Sequence, residues 1–104
     1  MLLEDPDLTA IITVSHVAAA GSIKALTLHG RSVPIDCSVM SIGFGSNLAN
    51  SITPSLTTLE WSPYELSYQA AVLMIDQLAH RELPARQILV PPKLVVREST
   101  HAVS

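Results

Sequence analysis

The chain has 104 residues, 48 % of them hydrophobic and 14 % charged, with a net charge of −3 from 6 Lys+Arg against 9 Asp+Glu. That length and apolar content suit one folded domain and exclude intrinsic disorder as the main state, because disorder needs low hydrophobicity and high net charge. No basic run offers a footprint for nucleic acid, no apolar stretch approaches the ~20 residues of a membrane span, and a single cysteine, Cys37, rules out an internal disulfide or a CxxC pair.

Met1-Leu2-Leu3-Glu4-Asp5 lacks the basic and apolar regions of a signal peptide, so a cytoplasmic location is expected. Residues 9–14, Thr-Ala-Ile-Ile-Thr-Val, are apolar and β-branched and predict a strand buried on both faces. Ser15 is placed to cap a helix over 17–29, rich in alanine, with Gly30 at the position where a helix-ending glycine belongs. Val33-Pro34-Ile35-Asp36 reads as a turn, 38–44 as a second apolar strand, and 43–47 as a break. A short helix within 48–54 and a strand over 56–59 follow.

Ser62-Pro63-Tyr64-Glu65 carries three helix-start signals: a capping serine, proline at the first helical position, and a glutamate that completes a capping box. Tyr64, Tyr68, Ala71, Val72 and Ile75 share one helical face, and the helix is expected to run to about Arg81, before Pro84. Residues 87–90 and 94–97 read as strands on either side of Pro91-Pro92, which cannot donate to a ladder. Strands alternating with helices define an α/β class with a mainly parallel sheet.

Few residues advertise chemistry. Gly43-Phe44-Gly45 begins like a dinucleotide loop, but Leu48 stands where the third glycine belongs, so a plain turn is the better reading. No G-x-S-x-G elbow surrounds Ser46. His16, His29, His80 and His101 are widely spaced and read as surface or helix-end residues rather than metal ligands. Cys37 reads as a small packed hydrophobe. The acidic residues Asp5, Asp7, Asp36 and Asp76 show no acid–base pairing. No catalytic set, metal site or cofactor loop emerges, and an enzyme is not expected. Trp61, between a strand and a helix cap, reads equally well as a rim-packing residue or a ligand contact.

Six blocks, taken in order, resemble one family. They are Thr9-Ala10-Ile11, Gly21-Ser22-Ile23-Lys24-Ala25-Leu26, and Gly30 with Val33-Pro34 and Asp36. Ser38-Val39-Met40-Ser41-Ile42-Gly43-Phe44 follows, one residue longer than the usual pattern. Thr53-Pro54-Ser55-Leu56-Thr57-Thr58-Leu59 and the run from Leu89-Val90-Pro91-Pro92 through Arg97-Glu98-Ser99-Thr100 complete the set. The chain is similar, over nearly its whole length, to the C-terminal third of lactose/galactose-repressor (LacI/GalR) transcriptional regulators.

The resemblance implies a periplasmic-binding-protein-like (type I) parallel sheet with flanking helices, as an incomplete two-lobed effector domain. Residues 1–104 would be a partial effector-binding and dimerisation domain. Residues 9–59 and 94–100 would lie in the C-terminal lobe and 60–93 in a segment of the N-terminal lobe, with the DNA-binding domain absent. The resemblance further implies a sugar or nucleoside effector bound near Ser15, His16, Gly45, Ser46 and Trp61. It implies a homodimer or larger assembly through Ala20, Ile23, Lys24, Leu48 and Ile52, and contact with operator DNA only through parts outside this chain. Ser15-His16 and Gly45-Ser46 depart from the family's Asn-Asp and acidic patterns, and Gly45 lacks the carboxylate that pairs well with sugar hydroxyls. The remaining alternatives are a fragment of a periplasmic solute-binding protein and a fragment of a doubly wound enzyme.

Overall fold

The computed structural model describes residues 7–102. In chain order the elements are β1 (Ala10–Thr13), α1 (His16–Leu28), β2 (Ser38–Gly43), α2 (Ser46–Ser51), β3 (Thr57–Glu60), α3 (Pro63–Ala79) and β4 (Lys93–Val95). They build one four-stranded sheet in the order β1-β2-β3-β4. The first two pairings are parallel, with Ala10 opposite Ser38 and Met40 opposite Thr57, and β4 returns antiparallel to β3. This is the mainly parallel α/β sheet that the sequence predicts.

The local signals explain the element ends. The Ser15 hydroxyl accepts the Ala18 N–H at 3.0 Å and so opens α1. Gly30, at φ 77°, closes it: its N–H reaches the Thr27 carbonyl and the Arg31 N–H reaches Leu26, the paired bonds of a Schellman end. Only a residue tolerant of positive φ completes that turn cheaply. The Ser62 hydroxyl accepts the Glu65 N–H at 3.2 Å and opens α3 behind Pro63.

Ala19, Ile23 and Leu26 of α1 pack with Cys37, Val39, Ala49 and Leu56 as the buried core, and Ile11, Val33 and Ile52 flank it. Cys37 is fully buried, as its reading as a packed hydrophobe requires. The chain after β4 locks this layer: Ser99 is fully buried, its hydroxyl donates to the Val39 carbonyl and accepts the Thr57 N–H at 2.8 Å.

Three expectations are corrected. Strand β1 is not covered on both faces. Its exposure alternates and Ile12 is 65 % exposed, because the helices that follow β1 and β2 lie on one side of the sheet only. Residues 87–90 form no strand, since no neighbouring strand offers a ladder to pair with among the described residues. Helix α3 stops at Ala79, with His80 as its cap, two residues short of the expected end.

Helix α3 buries none of its residues. It and the 80–92 segment extend away from the sheet. The radius of gyration is accordingly 18.2 Å, where a compact domain of this length has about 13 Å.

Candidate functional site

Parallel α/β sheets bind ligands beyond the carboxyl ends of their strands, where side chains at successive strand–helix junctions converge. Here those ends are Thr13, Gly43 and Glu60. Two polar pairs gather beside them.

The first pair is internal. His16, only 4 % exposed, places Nδ1 2.8 Å from the Ser41 hydroxyl, which is itself fully buried. The imidazole lies against the Gly43-Phe44-Gly45 turn. A Cβ on Gly43 would come within 3.5 Å of the ring, and one on Gly45 within 3.9 Å. Gly45 also takes φ 103° as the cap of α2, a conformation that favours glycine. The His16 Nε2 is buried with no hydrogen-bond partner in the protein. His16 thus stands at a helix end, one of the two placements expected of the histidines, but is buried there and not at the surface, because the first turn of α1 turns it inward onto β2.

The second pair is at the rim. Glu60 Oε2 accepts the Ser46 hydroxyl and Oε1 accepts the Thr58 hydroxyl, both at 2.8 Å. Arg97 stands 3.6 Å from Oε1 and donates to the Leu56 carbonyl at 2.7 Å and the Thr58 hydroxyl at 2.8 Å. Glu60 and Arg97 side chains are 15 % and 11 % exposed. Burial pushes the Glu60 acid upward. The hydroxyls of Thr58 and Ser46, then the charges of Arg97 and His16, outweigh it and hold the carboxyl below its usual range.

The structure thus joins Ser46 to Glu60 and His16 to the glycine turn. The Ser15 hydroxyl serves as the cap of α1, so much of its bonding capacity stays in the backbone. Trp61 donates its indole N–H to the Val90 carbonyl at 3.0 Å, which ties the end of β3 to the segment before β4. Glu60, Ser41, Thr58 and Arg97 escaped the sequence reading. The period-2 spacing of Thr58 and Glu60 places both on one strand face, and Ser41 interrupts the otherwise apolar run from Val39 to Phe44; both were available signals. Among the described residues, no group of three His, Cys, Asp or Glu side chains is arranged to hold a metal ion.

One of the expected interface residues is corrected. Ile23 is 5 % exposed and belongs to the core, because its turn of α1 faces the sheet. Ile52 is half-buried against the same core, Ala20 is half-buried, and Lys24 and Leu48 are exposed.

A one-sided parallel sheet with polar groups collected at its carboxyl edge is the framework of an α/β ligand-binding domain. The model of the periplasmic binding protein-like domain matches residues 2–100. The ribose operon repressor of Halalkalibacterium halodurans is 38 % identical over 101 residues, covering 96 % of this chain and 30 % of that protein. A LacI family regulator from an Arthrobacter species, solved in complex with lactose, superposes with a TM-score of 0.78 at 33 % identity, covering 96 % of this chain and 37 % of that one. The lac repressor dimer bound to operator gives a TM-score of 0.77 at 27 % identity, over 97 % of this chain and 35 % of that one.

The chain belongs to the periplasmic binding protein-like domain family, in the form carried by LacI-type regulators. It spans about a third of the length of the relatives it matches. These relatives are repressors rather than enzymes, in agreement with the non-enzymatic reading of the sequence.

Proposed function

We propose that this chain is the effector-sensing and dimerisation portion of a repressor-type transcriptional regulator. The observation that carries the reading is the polar cluster of Ser46, Thr58, Glu60 and Arg97 at the carboxyl edge of the sheet. Relatives solved with lactose, or as an operator-bound dimer, support a small hydroxylated effector of the sugar or nucleoside class and a homodimer. In this reading, residues 9–59 and 94–100 belong to one lobe and 60–93 to the other. The layout that supports it is the exposed α3, which leaves the sheet directly after Glu60 and Trp61.

The mechanism is population shift. An effector between the lobes favours one closure angle by its differential contacts, and the dimer passes that bias to DNA-binding parts outside this chain. A cytoplasmic location follows from such a role, and no helix of the described residues is long and apolar enough to cross a membrane.

A pocket with one lobe largely missing encloses its ligand poorly, so binding to this chain is expected in the millimolar range or weaker. Amide shifts measured by NMR during titration with D-ribose, lactose or adenosine test the reading. The expected result is saturable movement of Gly43, Gly45, Ser46 and the Trp61 indole. Absence of movement at that edge with all three compounds would refute it.

A further inference from the structure

The carboxylate of Glu60 has a defined, unfinished hydrogen-bonding state. A carboxylate offers about four acceptor positions. Oε1 takes the Thr58 hydroxyl and faces Arg97 at 3.6 Å, whereas Oε2 takes only the Ser46 hydroxyl at 2.8 Å. One lone pair on Oε2 therefore remains. Two hydroxyls from different elements, the start of α2 and the middle of β3, fix the group in place before anything binds, so its ordering cost is already met.

The neighbourhood leaves that oxygen reachable. Gly43 stands opposite Glu60 in the β2–β3 register and carries no side chain to cover it. The Glu60 side chain keeps 15 % of its surface exposed. Beneath the Gly43–Gly45 turn lies His16, nine-tenths buried, with Nε2 unpartnered. Buried polar atoms of this kind are ordinarily satisfied by protein, water or ligand.

The charges decide which donor fits. Arg97 already sets a fixed positive charge against Oε1, and Lys93 stands opposite Glu60 in the β3–β4 register. A cationic amine would meet both. A neutral hydroxyl meets neither and still gains a bond to an ionised acceptor, roughly twice as strong as a neutral one.

We propose that Glu60 is the specificity-determining acceptor of this site, with its free Oε2 lone pair taking a hydroxyl of a neutral polyhydroxylated ligand. The assignment rests on the effector-binding reading above and places its key carboxylate at the end of β3, not on the turn after β2, where Gly45 has none. Glu60→Gln keeps the size of the group and removes its charge.

The test is NMR titration of the wild-type chain and Glu60→Gln with lactose and D-ribose, with spectral dispersion confirming that both are folded. The expected outcome is a dissociation constant at least about tenfold weaker in the variant for whichever sugar binds. Should Glu60→Gln fail to fold, Glu60→Asp, which withdraws the charge by one methylene, decides in the same way. Equal affinity in the folded variant overturns the role of Glu60 alone and leaves the effector reading standing. Failure of both sugars to bind the wild-type chain overturns the role of Glu60, and failure of adenosine as well overturns the effector reading.

Discussion

Arg97 joins the end of the chain to β3, and replacing it measures how that junction is held. Its Nη1 donates to the Leu56 carbonyl at 2.7 Å and to the Thr58 hydroxyl at 2.8 Å. Leu56 and Thr58 are fully buried residues, so an unmet acceptor there is costly. Each bond from a charged donor is worth about 1.5–3 kcal/mol, and methionine returns part of the loss through apolar packing. Arg97→Met is therefore expected to cost about 2–4 kcal/mol. At about 4–8 °C per kcal/mol for a domain of this size, the thermal midpoint should fall by at least about 8 °C.

The Arg97–Glu60 ion pair should carry little of that cost. At 3.6 Å it is too long for a hydrogen bond, and Glu60 keeps its two hydroxyl donors when Arg97 is gone. Urea denaturation of Arg97→Met, Glu60→Gln and the double variant separates the contributions. The expected coupling energy is below about 1 kcal/mol. A loss under about 1 kcal/mol for Arg97→Met would refute the reasoning, as would a coupling energy equal to the whole loss.

Two further predictions follow from the same geometry. The folded Glu60 acid is held below its usual range, so it binds protons less readily than the unfolded carboxyl at about 4.3. Its contribution to stability is fully present above that value and is lost as pH falls through the lower folded value. Wild-type stability should decline on acidification over that window, and Glu60→Gln should show a shallower decline; equal slopes would contradict the assignment. The exposed face of α3, where the Tyr64 and Tyr68 rings stack with centroids 6.3 Å apart and Ile75 is also exposed, should drive self-association. Sedimentation equilibrium is expected to show a dimer or larger species, shifted toward monomer by Tyr68→Asp; a wild-type monomer near 11.1 kDa at tens of micromolar would exclude it.

The framework was legible because its signals are local. Ser15 and Ser62 cap helices where the sequence places caps, and Gly30 ends α1 through a backbone conformation that a glycine announces. The strand expected at 87–90 failed for the opposite reason. Its apolar residues satisfy a strand pattern, but a strand exists only with a neighbour, and no local signal supplies one. Ile23 was misplaced at a surface because resemblance carries positions, not the turn of a helix that decides which side chains meet the sheet. In α1 that decision falls on Ala19, Ile23 and Leu26, spaced four and three residues apart.

The candidate site was harder to read because its members are distant in sequence and ordinary in type. Ser46 and Glu60 are fourteen positions apart, and Thr58 and Arg97 thirty-nine, so no motif links them. They meet because parallel pairing of β2 with β3 brings Gly43 beside Glu60, while antiparallel β4 carries Arg97 past the start of β3, from where its long side chain reaches back along the strand to Thr58 and Glu60. The same topology explains why glycine is tolerable at position 45. The turn after β2 passes beside the His16 ring with a positive φ at Gly45, while the neighbouring strand end supplies a carboxylate already oriented by two hydroxyls. An acidic side chain at Gly45 would face a positive-φ penalty there. It would also stand near the charge of Glu60, so carboxylates at both places would disfavour ionisation of one another.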